Sequence, residues 1–290
     1  MEQLLHSIPA YLLKVLLSTL IQVFVLFGPS ILLAVLMHFV STGCQKLGYK
    51  LMGNRIFLGV FGWLGTAIHE LGHALFALIF FHRITEMKLF SPDAKKGSLG
   101  YVTHTWNSSN LYQTTGNFFI GIGPILMGSI MLFLITWLLF FTSVTSIVHI
   151  PLTTDSFSSF TSFTGMLHDI GKGITAYLAF VFTGPETNWW KIVLFLYLVF
   201  SIGSSITLSP ADIKGALKGF LVFLLFLFLF NLLTLWIGEF TIESFRYIST
   251  FFSAFYFLLV LSILLNLSFI FILLILVGIK LWVVKMSEQG

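Results

Sequence analysis

Several stretches of this chain are apolar for as long as a lipid bilayer is thick. Between Lys218 and Glu239, twenty consecutive residues carry no charge, and about twenty apolar residues are what a helix needs to cross the hydrocarbon core. Only 9% of the residues are charged and 57% are hydrophobic, whereas about 25% are charged in ordinary soluble domains. The chain is therefore predicted to be an all-α polytopic membrane protein with residues 1–290 forming a single integral membrane domain.

The apolar runs predict about six transmembrane helices. The N-terminus lacks the basic region and the small-residue cleavage site of a signal peptide, so the first helix is expected to be a retained anchor. The last two helices lie within a C-terminal unit over 217–290. The six predicted spans are 11–40, 56–82, 117–142, 188–208, 217–238 and 251–284.

A β-hairpin is predicted over 83–106, between the second and third spans. Two segments of mixed polar and apolar residues, 84–90 and 97–104, flank the turn-rich sequence Ser-Pro-Asp-Ala-Lys-Lys of residues 91–96. The hairpin is expected at the cytosolic surface or re-entering the membrane. An edge strand there would hold an unwound peptide by backbone hydrogen bonds, although an ordinary solvated hairpin fits the pattern equally well.

The distribution of basic residues predicts the orientation. With the N-terminus inside, nine of the 15 Lys and Arg residues fall in inner segments and six in outer ones, as the positive-inside rule favours. Both termini are then cytosolic, and the plasma or inner membrane is the expected location. The basic residues form no stripe or aromatic-interleaved patch, so nucleic acid is not expected as a partner.

The sequence His-Glu-Leu-Gly-His over residues 69–73 lies inside the second predicted span. On a helix, His69 and His73 are one turn apart on the same face, where both imidazoles can ligate one Zn²⁺. Glu70 lies beside them and is predicted to act first as general base and then as acid toward the leaving amine. Three polar residues in five positions are costly at membrane depth, which favours a metal and catalytic role over isolated buried hydrogen bonding.

An open catalytic zinc site needs a third protein ligand. Cys44 is the only cysteine, so the ligand is expected to be His, Asp or Glu, and no intrachain disulfide can form. Asp212 is the first candidate, because the six-span topology returns it to the same side as the two histidines; it also suits the start of a helix as a cap. Asp169 is the second candidate, although it lies in a segment assigned to the outside.

These motifs resemble those of the site-2 protease family of intramembrane zinc metalloproteases. The resemblance rests on the His-Glu-x-x-His motif in a span, on Gly121-Ile122-Gly123-Pro124 and on the Asp-x-x-Gly of 212–215, and it covers roughly 56–220. It implies a three-helix catalytic core over 56–220 that cleaves membrane-spanning substrates near the cytosolic face. In this resemblance zinc is bound by His69, His73 and Asp212, and Glu70 is the catalytic acid and base.

Two features depart from that family's usual pattern. Ile125-Leu126-Met127-Gly128 stands where an Asn usually follows the Gly-Pro, and Ala211-Asp212-Ile213-Lys214-Gly215 stands in place of Leu-Asp-Gly. Asn107, Asn110 and Asn117 are predicted to be loop and cap residues, one of which could replace the missing Asn. Gly72 is expected to permit close helix packing.

Two other functions fit parts of the pattern. One is a membrane zinc protease whose third ligand is a Glu on a later helix and whose site opens into an interior chamber; few Glu residues follow His73 in the spans. The other is a non-catalytic metal carrier or transporter, which also uses intramembrane His and Asp but does not need Glu70. The remaining histidines are isolated in the sequence or lie near span ends, and they are predicted to be hydrogen-bonded interfacial residues rather than ligands. They are at positions 6, 38, 82, 104, 149 and 168.

Overall fold

The fold is mostly helical and contains one small sheet. In this computed structural model, residues 2–91, 99–141, 160–237 and 240–287 are described. The helices are α1 (Glu2–Met52), α2 (Asn54–Phe57), a π-helical turn (Leu58–Gly62), α3 (Trp63–Ile79), α4 (Leu111–Phe140), α5 (Phe160–Thr183), α6 (Trp189–Gly203), α7 (Pro210–Thr234) and α8 (Phe240–Ser287). The strands are β1 (Arg83–Lys88) and β2 (Tyr101–Thr105).

Four helices within the described ranges are long and apolar enough to cross a membrane. They are Ile8–Met52, Leu111–Phe140, Pro210–Thr234 and Tyr256–Ser287, and their outer faces carry many exposed large apolar side chains. Such an apolar surface suits lipid rather than water. A membrane protein is therefore supported, while the count of six spans stays a prediction.

Helix α5 was not among the predicted helices; it lies in the segment between the third and fourth predicted spans. Polar residues such as His168 and Asp169 lower the hydropathy of the segment below that of a spanning helix. Tyr177 and Val181 on the same helix are fully buried, and the Tyr177 hydroxyl lies 2.6 Å from Thr136 Oγ1 of α4. The helix is amphipathic and packs one face on the helical core, which a search for uniformly apolar runs cannot detect.

Close glycine contacts bring α3, α4 and α7 together. A Cβ added to Gly72 of α3 would lie 2.6 Å from the carbonyl oxygen of Gly123 in α4, and one added to Gly123 would lie 2.6 Å from that of Gly72. Gly121 meets α7 in the same way, since its Cβ would lie 2.7 Å from that of Ala216. The predicted packing role of Gly72 is confirmed, and these contacts set the distances within the site.

The predicted hairpin is present. β1 and β2 pair antiparallel from Arg83 opposite Thr105 to Lys88 opposite Tyr101, with an irregularity between Ile84 and Glu86. Residues 92–98, including Lys95 and Lys96 of the predicted turn, lie outside the described residues. The chain enters β1 through Phe81, whose positive φ of 57° turns the backbone sharply after α3.

Polar contacts attach α1 to the end of α6 and to α7. Ser41 and Gln45 of α1 both donate to the carbonyl oxygen of Ser204, which directly follows α6. Asn231 of α7 donates to Thr19 Oγ1 at 2.9 Å and to Gln22 Oε1 at 2.8 Å. Interhelical hydrogen bonds of this kind contribute to helix association in membranes, where the hydrophobic effect between helices is weak.

Candidate metal centre

Helix α3 presents His69 and His73 one turn apart, as the motif predicted. Their ring centroids are 5.0 Å apart, and His73 is buried while His69 is partly buried. His73 faces α4, where it contacts Ile120, and His69 faces Ser205, just beyond α6. Both imidazoles therefore lie between helices rather than toward lipid.

Backbone carbonyls fix the orientation of both rings. Nδ1 of His69 lies 3.0 Å from the carbonyl oxygen of Ser205, and Nδ1 of His73 lies 2.8 Å from that of Ile120. A carbonyl oxygen only accepts, so each Nδ1 must carry the hydrogen and each Nε2 of the neutral ring keeps a free lone pair. Metal-binding histidines are commonly held in this way.

The carbonyl that orients His73 is free because of a proline. In a helix the carbonyl of residue 120 would accept from the N–H of residue 124, but that residue is Pro124, which has no N–H. Ile120 oxygen is thereby available to the imidazole. Ser205 lies just beyond α6, and its carbonyl accepts from the Thr207 N–H at 2.9 Å in addition to its contact with His69.

Asp212 reaches the histidines from the first turn of α7. Pro210 is the first helical residue, Ser209 is the N-cap, and a capping box joins Ser209 to Asp212. Ser209 Oγ accepts from the Asp212 N–H at 3.2 Å, and Asp212 Oδ2 accepts from the Ser209 N–H at 2.8 Å. The remaining oxygen, Oδ1, lies 3.3 Å from Nε2 of His73, so the predicted capping role leaves one carboxylate oxygen available to a metal ion.

The three side chains form a potential metal-binding triad. One ligand atom from each of His69, His73 and Asp212 lies within 4.8 Å of the other two. His73 Nε2 and Asp212 Oδ1 lie 3.3 Å apart. Both atoms are hydrogen-bond acceptors, so they repel each other unless a proton or a cation lies between them. Two ligand atoms that are each bound at about 2.0–2.1 Å to one tetrahedral ion would also be separated by this distance. The residues therefore fit a divalent cation.

No family model, curated protein or solved structure matches this chain. The function must therefore be argued from the site itself.

Glu70 lies in the same cavity as the triad. The cavity has a volume of about 620 Å³ and is lined by parts of α1, α3, α4, α7 and the hairpin. Glu70 is only 6% exposed, and a Cβ added to Gly100 would lie 2.7 Å from its Cγ. The glycine lets the backbone at the start of β2 lie directly against the carboxylate side chain.

The hairpin forms one wall of this cavity. Leu99, Gly100, Tyr101, Val102 and His104 line it, and all of them belong to β2 or the residues just before it. The sheet has two strands within the described part of the chain, so the edge of β2 away from β1 has no neighbouring strand there. A strand edge without a neighbouring strand can pair with an extended peptide backbone.

The other predicted candidates have different places. Asp169, the second choice of ligand, is exposed on α5 with its Oδ1 4.0 Å from His168 Nδ1, away from the residues that line the cavity. Asn110 is the N-cap of α4, as predicted. Asn107 is a loop residue that accepts from the N–H of Ser109, whereas Asn117 is buried and lines the cavity.

The sequence did not predict the contact between two histidines beside the cavity. His82 and His104 were predicted to be hydrogen-bonded interfacial residues rather than ligands, and their Nδ1 atoms lie 2.9 Å apart, while His104 also lines the cavity. The two residues are separated by 22 positions, and only the hairpin brings them together. The sole available signal was their location at the two ends of the predicted hairpin.

Proposed function

We propose that the protein is an intramembrane zinc metalloprotease that hydrolyses peptide bonds of membrane-spanning substrates. One observation carries the proposal: a triad of two histidines and an aspartate lies beside a buried glutamate, in one cavity among membrane-type helices. Two imidazoles and one carboxylate suit Zn²⁺, and three protein ligands leave a position open, as catalytic zinc sites require. Zinc bound there would supply a Lewis acid that polarises the substrate carbonyl and acidifies water.

Four side chains of the cavity have proposed roles in peptide hydrolysis. His69, His73 and Asp212 would hold the ion, with their orientations fixed by Ser205, Ile120 and Ser209. The Glu70 carboxylate takes one proton from the attacking water and returns it to the leaving nitrogen. One water is consumed, the C–N bond breaks, and a carboxylic acid and an amine form.

The free edge of β2 supports an extended substrate. Peptide bonds inside a helix are shielded, so a membrane-spanning substrate must unwind locally before it can be cut. Pairing with β2 would satisfy the backbone N–H and C=O groups of the unwound segment. Such groups are costly to leave unpaired in lipid. The partners implied are a transmembrane protein or peptide substrate and the lipid bilayer.

The proposed location is the plasma or inner membrane with both termini cytosolic and the active site nearer the cytosolic leaflet. The excess of Lys and Arg in the inner segments supports this orientation. Cysteines introduced at position 95, in a Cys44→Ser background, should react with a permeant maleimide and not with an impermeant one added outside. Labelling by the impermeant reagent would place the site in the other leaflet.

The deciding experiment separates chemistry from metal binding. The purified protein is assayed for bound zinc by elemental analysis and for cleavage of synthetic single-span peptides by mass spectrometry. Glu70→Gln keeps the size of the side chain and removes the base, so it should retain zinc and lose at least roughly 10²-fold in cleavage rate. His69→Ala and Asp212→Ala should lose zinc and activity together.

The outcomes also address the two alternative functions. Cleavage by Glu70→Gln at the wild-type rate would exclude the proposed mechanism, and zinc loss in this variant would make Glu70 a ligand. Zinc uptake into sealed vesicles without peptide cleavage would indicate a metal carrier. If Asp212→Ala retains zinc and a variant in which a later Glu is replaced loses zinc, the protease type with a Glu ligand is favoured.

A further inference from the structure

His82 lies between the end of α3 and the start of β1, and its side chain is tightly packed. It is only 3% exposed. The Trp106 ring stacks on it with a centroid distance of 5.6 Å and an interplanar angle of 14°. A Cβ added to Gly116 of α4 would lie 3.0 Å from His82 Nε2. The ring therefore has little freedom to turn.

The hydrogen bonds of His82 have only one possible direction when both rings are neutral. Its Nε2 lies 2.7 Å from the carbonyl oxygen of Gln113, so Nε2 must donate and Nδ1 must be an acceptor. That Nδ1 lies 2.9 Å from Nδ1 of His104. His104 Nδ1 must then donate, which leaves the lone pair of the His104 ring on Nε2.

The neutral form is the one expected for His104 near neutral pH. Burial, together with the neighbouring His82 and His73, lowers the pKa of His104 from 6.5 to about 4. His104 lines the cavity that holds Glu70 and the triad, and it does so from β2, the strand with the free edge.

We propose that His104 is a substrate-binding residue of this cavity. Its Nε2 accepts a hydrogen bond from a backbone N–H of the extended peptide segment that lies along β2, and His82 is the positioning residue that fixes the ring. Chains in extended conformation expose an N–H at every residue, so this recognition needs no particular substrate side chain. The inference rests on the proposed protease function.

A purely structural role would also explain the pair, because it attaches the hairpin to the end of α3. The variant His104→Asn distinguishes the two roles. Its side-chain nitrogen occupies the place of Nδ1 and can still donate to His82, while the atom that accepts from the peptide is gone. His104→Gln does the opposite, since its amide oxygen extends to about the place of Nε2.

We expect His104→Asn to retain zinc and to raise KM for a cleavable single-span peptide about tenfold, equivalent to roughly 1.4 kcal/mol, with kcat within about twofold. Loss of an interaction made equally in the bound substrate and the transition state changes KM alone.

Three further variants test the assignment. His104→Gln should recover most of the lost substrate binding. His82→Gln, which keeps the bond to Gln113 and loses the acceptor for His104, should raise KM about threefold. His168→Asn, an exposed site on α5, is the matched control and should behave as wild type.

Substrate chemistry provides a second test. A series of peptides is made in which one backbone amide at a time is replaced by an ester, which removes a single N–H. At one position near the cleaved bond, the ester should raise KM for the wild type and leave KM for His104→Asn unchanged. Equal effects of every ester on both proteins would overturn the inference.

The outcomes distinguish failure of the substrate-binding role of His104 from failure of the proposed protease function. If the wild type cleaves, Glu70→Gln does not, and His104→Asn has the wild-type KM, then His104 does not bind the substrate although the protease function stands. A lowered kcat with unchanged KM would assign the pair to hairpin attachment. Absence of cleavage by the zinc-loaded wild type would overturn both.

Discussion

The close contact between Gly72 and Gly123 leads to a quantitative prediction about the proposed metal site. In Gly72→Ala the new Cβ would lie 2.6 Å from the Gly123 carbonyl oxygen, whereas ordinary contact begins at 3.4 Å. The two helices must therefore separate by about 0.8 Å, since backbone cannot yield as a flexible side chain does. The bond from His73 Nδ1 to Ile120 oxygen crosses the same helix pair and would lengthen from 2.8 Å to roughly 3.6 Å, beyond hydrogen-bonding distance.

Loss of such an orienting bond typically lowers metal affinity by about 10–100-fold, and we expect this loss in Gly72→Ala. Zinc affinity is measured on purified protein by competition with a chromogenic chelator. Alanine favours helix over glycine by roughly 1 kcal/mol, so intrinsic helix propensity acts in the opposite direction. Gly278→Ala on α8, where nothing lies within 4 Å of the new Cβ, is the control. A zinc affinity of Gly72→Ala within twofold of wild type would refute the reasoning.

Two further predictions concern Asp212 and His104. Ser209→Ala removes the side-chain cap of α7 and should cost about 1 kcal/mol of unfolding free energy, with a smaller loss of zinc affinity than Asp212→Ala; Ser209→Thr should restore both in thermal and zinc titrations. For His104 the pKa in the folded protein is about 4, below its usual 6.5, so the unfolded chain binds more protons between these values. Its stabilising contribution should be complete above pH 6.5 and be lost as the pH falls toward 4. Thermal unfolding of His104→Asn should depend less on pH over this range, and equal pH dependence in both proteins would contradict the assignment.

The sequence predicted the part of the site that depends on local spacing. His69, Glu70 and His73 lie within two turns of one helix, so their mutual arrangement follows from helical periodicity. Asp212 is 139 positions from His73, and topology together with the Asp-x-x-Gly motif nevertheless pointed to it. The hairpin was predicted from its turn residues.

Contacts that depend on three-dimensional packing could not be predicted from the sequence. The pairing of His82 with His104 needs the hairpin register, and α5 buries Tyr177 although its segment carries polar residues that lower its hydropathy. Pro124 is an intermediate case. Its sequence position already implied a free carbonyl four residues earlier, but only the structure shows that His73 uses this carbonyl.

The attachment of α1 to Ser204 has a consequence for the smallest functional unit. The carbonyl of Ser204 accepts from Ser41 and Gln45, and the next carbonyl along the chain, that of Ser205, orients His69. The segment 56–220 contains the three candidate metal ligands but lacks α1. Excised on its own, it would leave the turn after α6 without the hydrogen bonds from Ser41 and Gln45, so we expect the proposed site to need α1 as well as the ligands.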